Sequence, residues 1–286
     1  MNRQNTQHII ALMATILIVG LAFQGRLEAQ SSNACTVKMG YRTSERLPLI
    51  AEKPDDSGLY YDLYAQAAEN IGCGFEVVRS TKKRILVGLE KGEIDFYPGF
   101  NFTTERAEYT FYMENGLPGG DIGISHLDLP EISDLSQLQG YTLVKALGGP
   151  NFLEGIEGAT DIKQVDISEM TIEHAIQFLK INRADFFIYN KQSIEYYLKE
   201  SGITDLKLHP DCCGGIQPLY LGFSRKSPLF SEEPNPDFDS SRALSVDNFP
   251  TVLSPDSVAA QFAQALRTMS EQGETEKLYQ QYYRQE

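Results

Sequence analysis

The stretch TTER, residues 103–106, places an arginine three positions after a threonine and begins shortly after the apolar run GEIDFYPGF. A guanidinium presents parallel N–H donors that match a carboxylate, and the free N–H groups of a helix start favour the same charge. An arginine in a first helical turn can equally be a solvated surface residue. Arg106 is therefore a candidate carboxylate ligand, and a solvated position is the alternative.

Further basic residues follow the predicted strands. Arg42 comes after the first strand, and Lys82 with Lys83 precedes the second helix. A cluster of Arg42, Lys82 and Arg106 would focus an anionic ligand in an otherwise acidic protein. The alternative is that the two lysines only solvate a helix start.

Tyrosines lie at the same predicted strand ends, at Tyr41, Tyr97 and Tyr189. Such rings could stack on a ligand, or they could pack in the core or at a hinge. The sequence leaves both interpretations open.

The chain has 286 residues and a net charge of −14. An acidic balance of this size argues against nucleic acid and anionic membrane as partners. The length is sufficient for two domains of ordinary size. We expect a monomer whose partner is a small molecule.

The amino terminus resembles an export signal. Arg3 precedes an uncharged apolar run over residues 9–23, which is shorter than the roughly 20 residues that a membrane span needs. We expect residues 1–29 to be a signal peptide cleaved near Ala29, and the remaining chain to be periplasmic.

Four cysteines in an exported protein favour disulfides. Cys35 opens the first predicted strand and Cys73 precedes the second, so parallel neighbouring strands would bring them together. Cys212 and Cys213 would then form a vicinal bond, and the alternative is two free or separately paired thiols. The histidines show no spacing typical of metal ligands, so we expect neither a metal nor a cofactor.

Strands and helices alternate in two similar units. The first has the strands CTVKMGY, FEVVRS and IDFYPGF, with the helices SGLYYDLYAQAAENIG and KKRILVGLEKG between them. The second has the strands YTLVKAL, IKQVDI and ADFFIYN, with helices predicted at GGPNFLEGI, TIEHAIQFLKINR and KQSIEYYLKESG. This alternation is typical of α/β units with a parallel sheet.

The second unit is flanked by GGDIGISHL and QPLYLGFSRK, which we interpret as two paired connecting strands. The prediction is a first lobe over 30–120, a second lobe with the hinge strands over 121–226, and a return to the first lobe over 227–286. An irregular insertion is expected at 228–255. Ligands of such sheets bind beyond the carboxyl ends of the strands, where PGFNFTTER and YNKQS emerge.

In this order, the motifs VKMGY, SGLYYDL, ILVGLEKGEIDF, TTER, LQGYTLVKALGG, INRADFFI and QGETEKLYQQYY resemble the bacterial extracellular solute-binding proteins of family 3. These are the periplasmic binding components of polar amino-acid ABC importers. The resemblance implies an α/β, two-lobed periplasmic-binding-protein fold (type II), with parallel-sheet lobes joined by two hinge strands. It also implies that Thr103 caps a helix and that Arg106 holds a ligand carboxylate.

The chain departs from the family pattern at several positions of the implied ligand site. Asn190 stands where amino-acid binders carry an aspartate for the ligand ammonium, and Pro150 removes an N–H from the second-lobe loop. The other positions that the resemblance assigns to the ligand are Gly99, Asn101, Gly149 and Asn151. These departures argue against an ordinary α-amino acid as the ligand.

Three functions remain open. The first is capture of a small anionic or polar metabolite, an amino acid or a carboxylate, for an ABC permease or a sensor. The second is an accessory or signalling protein that has kept the scaffold without the ligand. The third is an enzyme similar to cyclohexadienyl dehydratases, for which Glu45, Glu105 and Glu154 are candidate general acids. The weak acid–base constellation favours a non-enzymatic role.

Overall fold

The structure is a computed structural model that describes residues 35–168, 170–214 and 217–283. The predicted signal peptide, residues 1–29, lies outside the described residues. Among the residues that are described, no helix is long and apolar enough to cross a membrane.

The first lobe consists of residues 36–119 and 217–283, around a five-stranded sheet of order β2-β1-β3-β10-β4. Its strands are β1 (Thr36–Arg42), β2 (Gly74–Ser80), β3 (Phe96–Pro98), β4 (Thr110–Gly119) and β10 (Gln217–Ser224). Its helices are α1 (Leu59–Asn70), α2 (Lys82–Lys91), α3 (Thr104–Ala107), α6 (Val258–Glu271) and α7 (Glu274–Tyr283).

The second lobe consists of residues 121–214, around a second five-stranded sheet of order β7-β6-β8-β5-β9. Its strands are β5 (Asp121–His126), β6 (Thr142–Ala146), β7 (Lys163–Ile167), β8 (Phe186–Asn190) and β9 (Leu206–His209). Its helices are α4 (Ile172–Lys180) and α5 (Lys191–Ser201), with short 3-10 turns at Leu135–Leu138 and Ala159–Asp161.

The two-lobed α/β fold is confirmed, but the sheets are mixed and not parallel throughout. β1 pairs in parallel with β2 and β3, as predicted, whereas β10 is antiparallel to β3 and β4. In the second lobe β6 is parallel to β7 and β8, and β5 is antiparallel to β8 and β9.

The two predicted connecting stretches pair with each other only at their first residues, Gly119 and Gln217. GGDIGISHL forms β5 inside the second sheet, and the partner of β10 is β4, with Gly119 opposite Gln217. The chain therefore leaves the first sheet at the end of β4 and returns to it at the start of β10.

Aromatic side chains dominate the core of the first lobe. The Phe96 ring lies 4.9 Å from the Tyr64 ring and 5.5 Å from the Phe262 ring, so β3, α1 and α6 meet at this residue. In the second lobe the buried face of α4 is formed by Ile172, Ala175, Ile176 and Leu179.

One local prediction was wrong. GGPNFLEGI forms turns and no α-helix, because its glycines and Pro150 favour tight turns over a continuous helix. The insertion over 228–255 contains a short antiparallel pair, β11 (Glu232–Pro234) and β12 (Thr251–Leu253). The carboxyl-terminal segment forms two helices, α6 and α7, which are divided at Gly273, whose φ is +78°.

All four cysteines are oxidised. Cys212 and Cys213 form the vicinal disulfide, and both members of the predicted Cys35–Cys73 pair are disulfide-bonded. Cys212 is buried in the core of the second lobe, so the vicinal bond ties that core to the chain segment that returns to β10.

Candidate functional site

A cavity of about 490 Å³ lies between the two lobes. All ten residues predicted to contact a ligand line this one cavity. They are Tyr41, Arg42, Lys82, Tyr97, Gly99, Asn101, Arg106, Gly149, Asn151 and Asn190.

These residues converge because each lies at, or shortly beyond, the carboxyl end of a parallel strand. Arg42 ends β1, Lys82 begins α2, and Asn190 ends β8. The carboxyl ends of the parallel strands in both sheets face the same cavity. Open α/β sheets bind ligands at this edge.

Arg106 is held at the start of a short helix after β3. The Thr103 hydroxyl accepts a hydrogen bond from the Arg106 N–H at 3.2 Å, so Thr103 is the helix cap. The guanidinium donates to the Asn101 carbonyl at 3.2 Å and lies 4.5 Å from the centre of the Phe100 ring. These contacts aim the side chain at the cavity and leave other N–H donors for a ligand.

Gly99 allows the chain to turn between β3 and this helix. Its φ is +63°, a conformation that favours glycine. A Cβ atom at this position would lie 2.9 Å from the Tyr60 hydroxyl and 3.4 Å from Nη1 of Arg46. Glycine is therefore needed both for the backbone conformation and for the close approach of the Tyr60 hydroxyl.

Arg42 and Arg46 reach from the first lobe to the second. Nη2 of Arg42 donates to the Tyr189 hydroxyl at 2.7 Å, and Arg46 lies 4.6 Å from the centre of the Tyr189 ring. Nε of Arg46 also lies 3.4 Å from the Ser193 hydroxyl. The two arginines therefore join the lobes across the cavity. Arg46 was missed by sequence reasoning, although its position four residues after Arg42 was a usable signal.

Lys82 is half-buried among other cations. The pKa of its ammonium group is lowered to about 7, chiefly by burial and in addition by the positive charges of Arg106, Arg42, Arg46 and Lys145. An anionic ligand would reverse this effect, because it would favour the charged form of Lys82.

Asn190 lines the cavity, but its polar atoms are used within the second lobe. Its side-chain oxygen accepts from the N–H and the hydroxyl of Ser193, both at 3.0 Å, and so caps α5. Its amide nitrogen donates to Gln192 at 3.1 Å and to the Gly120 carbonyl at 3.4 Å. The residue is only 5% exposed, and we assign its side chain a capping role.

The second-lobe loop over 148–151 lines the cavity without supplying all of the expected donors. The Gly149 N–H donates to the Ala146 carbonyl at 2.8 Å, and Pro150 has no N–H. The Asn151 side chain accepts from the Leu153 N–H at 3.3 Å. The loop is therefore held by its own hydrogen bonds.

Tyr41 and Tyr97 stack on each other, with ring centres 5.5 Å apart. They are only 1% and 6% exposed, so most of their surface packs against protein. Tyr189 is half-buried and also stacks against Phe187, at 5.3 Å. Packing accounts for most of the surface of Tyr41 and Tyr97, while Tyr189 faces the two arginines.

Other charged residues of the lining were missed or only partly predicted. Burial raises the pKa of the Asp121 carboxyl, and Arg46 and a hydrogen bond from Asn101 at 3.5 Å act in the opposite direction. Lys145 lies 3.3 Å from Asp166. Of the three acids considered for catalysis, Glu154 lines the cavity, whereas Glu45 and Glu105 lie elsewhere.

The cavity therefore combines five cationic side chains with the carboxylates of Asp121 and Glu154, in a chain of net charge −14. The cations come from both lobes, and rings of Phe100 and Tyr189 lie beneath two of them. In general, a cleft lined by cationic side chains focuses the electric field and raises the local concentration of anions.

Neither a protein-family model nor a curated protein sequence matches the chain. Solved structures do match its fold. A mutant of the arginine-binding protein from T. maritima is similar, with 15% identity, a TM-score of 0.63, and coverage of 87% of this chain and 96% of that one. An ancestral amino-acid-binding protein, a precursor of cyclohexadienyl dehydratase, has 18% identity, a TM-score of 0.63, and coverage of 87% and 95%.

A further similar chain comes from a structure that describes glutathione import via GshT and the cystine ABC importer TcyBC of Streptococcus mutans. It has 19% identity, a TM-score of 0.66, and coverage of 87% of this chain and 95% of that one. At these identities the likeness concerns the fold. The chain therefore shares the two-lobed fold of the substrate-binding proteins of amino-acid ABC importers.

Proposed function

We propose that this chain is a periplasmic solute-binding protein that captures a small anionic metabolite between its lobes for an ABC permease. The observation that carries the proposal is the cationic cavity, to which both lobes contribute side chains. Proteins of this fold bind small ligands between their lobes, and closure then presents a recognisable surface to a membrane partner. We further propose that the chain acts as a monomer.

In this proposal Arg106 holds a ligand carboxylate and Lys82 adds positive charge beside it. The cap at Thr103 and the ring of Phe100 orient the arginine before the ligand arrives. Preorganised donors bind more tightly because less conformational entropy is lost on binding.

The test is a thermal-shift screen of the mature, oxidised protein, refolded to remove any bound ligand, against amino acids, carboxylates, dicarboxylates and small peptides. A ligand at 100 times its Kd stabilises the folded state by about 2.7 kcal/mol. We expect a hit that disappears in Arg106→Ala and persists in Arg84→Ala, whose exposed side chain does not line the cavity. If no compound of the panel shifts the melting temperature, the accessory or signalling role is favoured.

An enzymatic role is the second candidate, because an amine with a pKa of about 7 suits proton transfer at neutral pH. The relevant substrates would be cyclohexadienyl carboxylates, and their conversion to aromatic products is followed by absorbance. We expect binding without turnover. Product formation that Lys82→Met abolishes would instead establish the enzyme.

A further inference from the structure

We propose that the ligand of this cavity is a dicarboxylate whose two carboxylates occupy two separate cationic subsites. The first subsite consists of Arg106 and Lys82, and the second consists of Arg42 and Arg46. This inference rests on the proposed capture function and adds the charge class of the ligand.

The first argument is the charge that the protein leaves unneutralised. Within the described part of the chain, none of these four cations forms an ion pair within 4.0 Å, whereas the fifth, Lys145, is paired with Asp166. The carboxylates of Asp121 and Glu154 offset part of the excess. Two positive charges then remain, and a partly buried charge is costly without a partner. One ligand carboxylate would leave one of them unmatched, and two would match both.

The second argument is that the cations form two groups on different supports. Arg42 and Arg46 meet at Tyr189, one at its hydroxyl and the other at its ring face. Arg106 rests on Phe100 and the Asn101 carbonyl, on the segment after β3. Among the arginines, Arg106 lowers the pKa of Lys82 the most. Each group contains two cations, which suits one carboxylate per group.

The third argument is an unsatisfied donor in the second subsite. Nε of Arg42 is buried and has no hydrogen-bond partner among the described residues, and the whole residue is only 7% exposed. A buried donor without a partner costs about 1–3 kcal/mol, and more when it carries charge. A carboxylate oxygen in this part of the cavity would satisfy it. A single carboxylate placed at Arg106 would leave it unpaired.

The experiment is isothermal titration calorimetry with glutarate and its monoamide, at one ionic strength and pH 6.5. The two compounds have the same length and shape and differ by one negative charge. Succinate and adipate, each with its monoamide, extend the comparison to shorter and longer spacings. The protein is the refolded, oxidised mature chain.

We expect the best diacid to bind at least about tenfold more tightly than its monoamide, because charge-assisted hydrogen bonds are roughly twice as strong as neutral ones. In Arg46→Met this ratio should fall to within about threefold. Arg84→Met, on the exposed face of α2, should keep the ratio of the unmodified protein. Because both affinities in the ratio are measured on the same variant, any general effect of Arg46 on closure of the lobes cancels.

Each other outcome overturns the proposal in a different way. A ligand with one carboxylate that binds as tightly as the best diacid would refute the dicarboxylate and leave anion capture intact. An undiminished ratio in Arg46→Met would refute the second subsite. A folded protein, judged by circular dichroism, that binds no member of the thermal-shift panel would refute both this inference and the proposed function.

Discussion

Arg42 of the first lobe donates a hydrogen bond of 2.7 Å to the hydroxyl of Tyr189 in the second lobe. The donor is a nearly buried guanidinium at the end of β1, and the acceptor lies one residue before the end of β8. The contact therefore links the two sheet edges that form the cavity, and the protein makes it with its own side chains.

Removing the hydroxyl in Tyr189→Phe should weaken closure of the lobes. A hydrogen bond from a charged group contributes about 1.5–3 kcal/mol, so the closed population should fall about tenfold or more relative to the open one. The ring beneath Arg46 is retained. Small-angle X-ray scattering without ligand should show a larger radius of gyration. Tyr141→Phe, which does not line the cavity, should leave the radius unchanged.

The affinity for an anion should depend on pH through Lys82. Its pKa in the free protein is lowered to about 7, chiefly by burial, and a bound anion would raise it because it stabilises the ammonium. Binding should therefore be tightest below pH 7 and weaken as pH rises above 7, by up to about tenfold per unit. Calorimetry between pH 6 and 9 measures this slope.

Two variants separate Lys82 from other titrating groups. Lys82→Met should bind more weakly and show a flat profile over this range, because the titrating group is gone. Lys82→Arg keeps its charge and should bind tightly with an equally flat profile. An unchanged slope in both variants would assign the pH dependence to another group.

Asn190→Ala should destabilise the second lobe. The variant loses the cap of α5 and leaves the Ser193 N–H without its acceptor. Loss of such a cap costs about 1 kcal/mol of unfolding free energy, measured by urea denaturation. Asn190→Asp retains the acceptor and should recover most of the cap, so equal losses in both variants would contradict the capping role.

Gly123→Ala should also destabilise the second lobe, through overpacking. A Cβ at Gly123 would lie 2.1 Å from Cζ of Phe186 and 3.0 Å from Sγ of Cys212. Forced repacking of this kind costs about 1–3 kcal/mol. The same substitution should cost less in a Phe186→Leu background, which removes the first clash. A double-mutant cycle of urea midpoints measures the difference.

The positions of the cavity residues were predictable because they depend on strand ends. Arg42, Lys82 and Arg106 each follow or precede a predicted element, and a parallel sheet brings such positions to one edge. Arg46 was not predictable in this way. It lies in a tight turn in which the Arg46 N–H donates to the Ile50 carbonyl at 2.9 Å. Because a turn has no regular spacing of apolar residues, the sequence does not indicate towards which side the Arg46 side chain points.

Hydrogen-bond partners were the least predictable feature of the site. Asn190 and Gly149 line the cavity as expected, but each uses its polar groups on nearby backbone or side chains. The sequence also did not predict the strand β9, because its four residues are too few to show an alternating pattern. A sequence indicates where a polar group lies more readily than which neighbour it binds.

The contrast between an acidic chain and a cationic cavity has a kinetic consequence. A net charge of −14 repels an approaching anion at distances beyond the reach of the cavity. Because the screening length shrinks from about 30 Å at 0.01 M salt to about 10 Å at 0.1 M, added salt removes the long-range repulsion before it removes the attraction inside the cavity. The capture rate should therefore increase with ionic strength at first, so the protein would collect its ligand faster in a salty medium than in a dilute one.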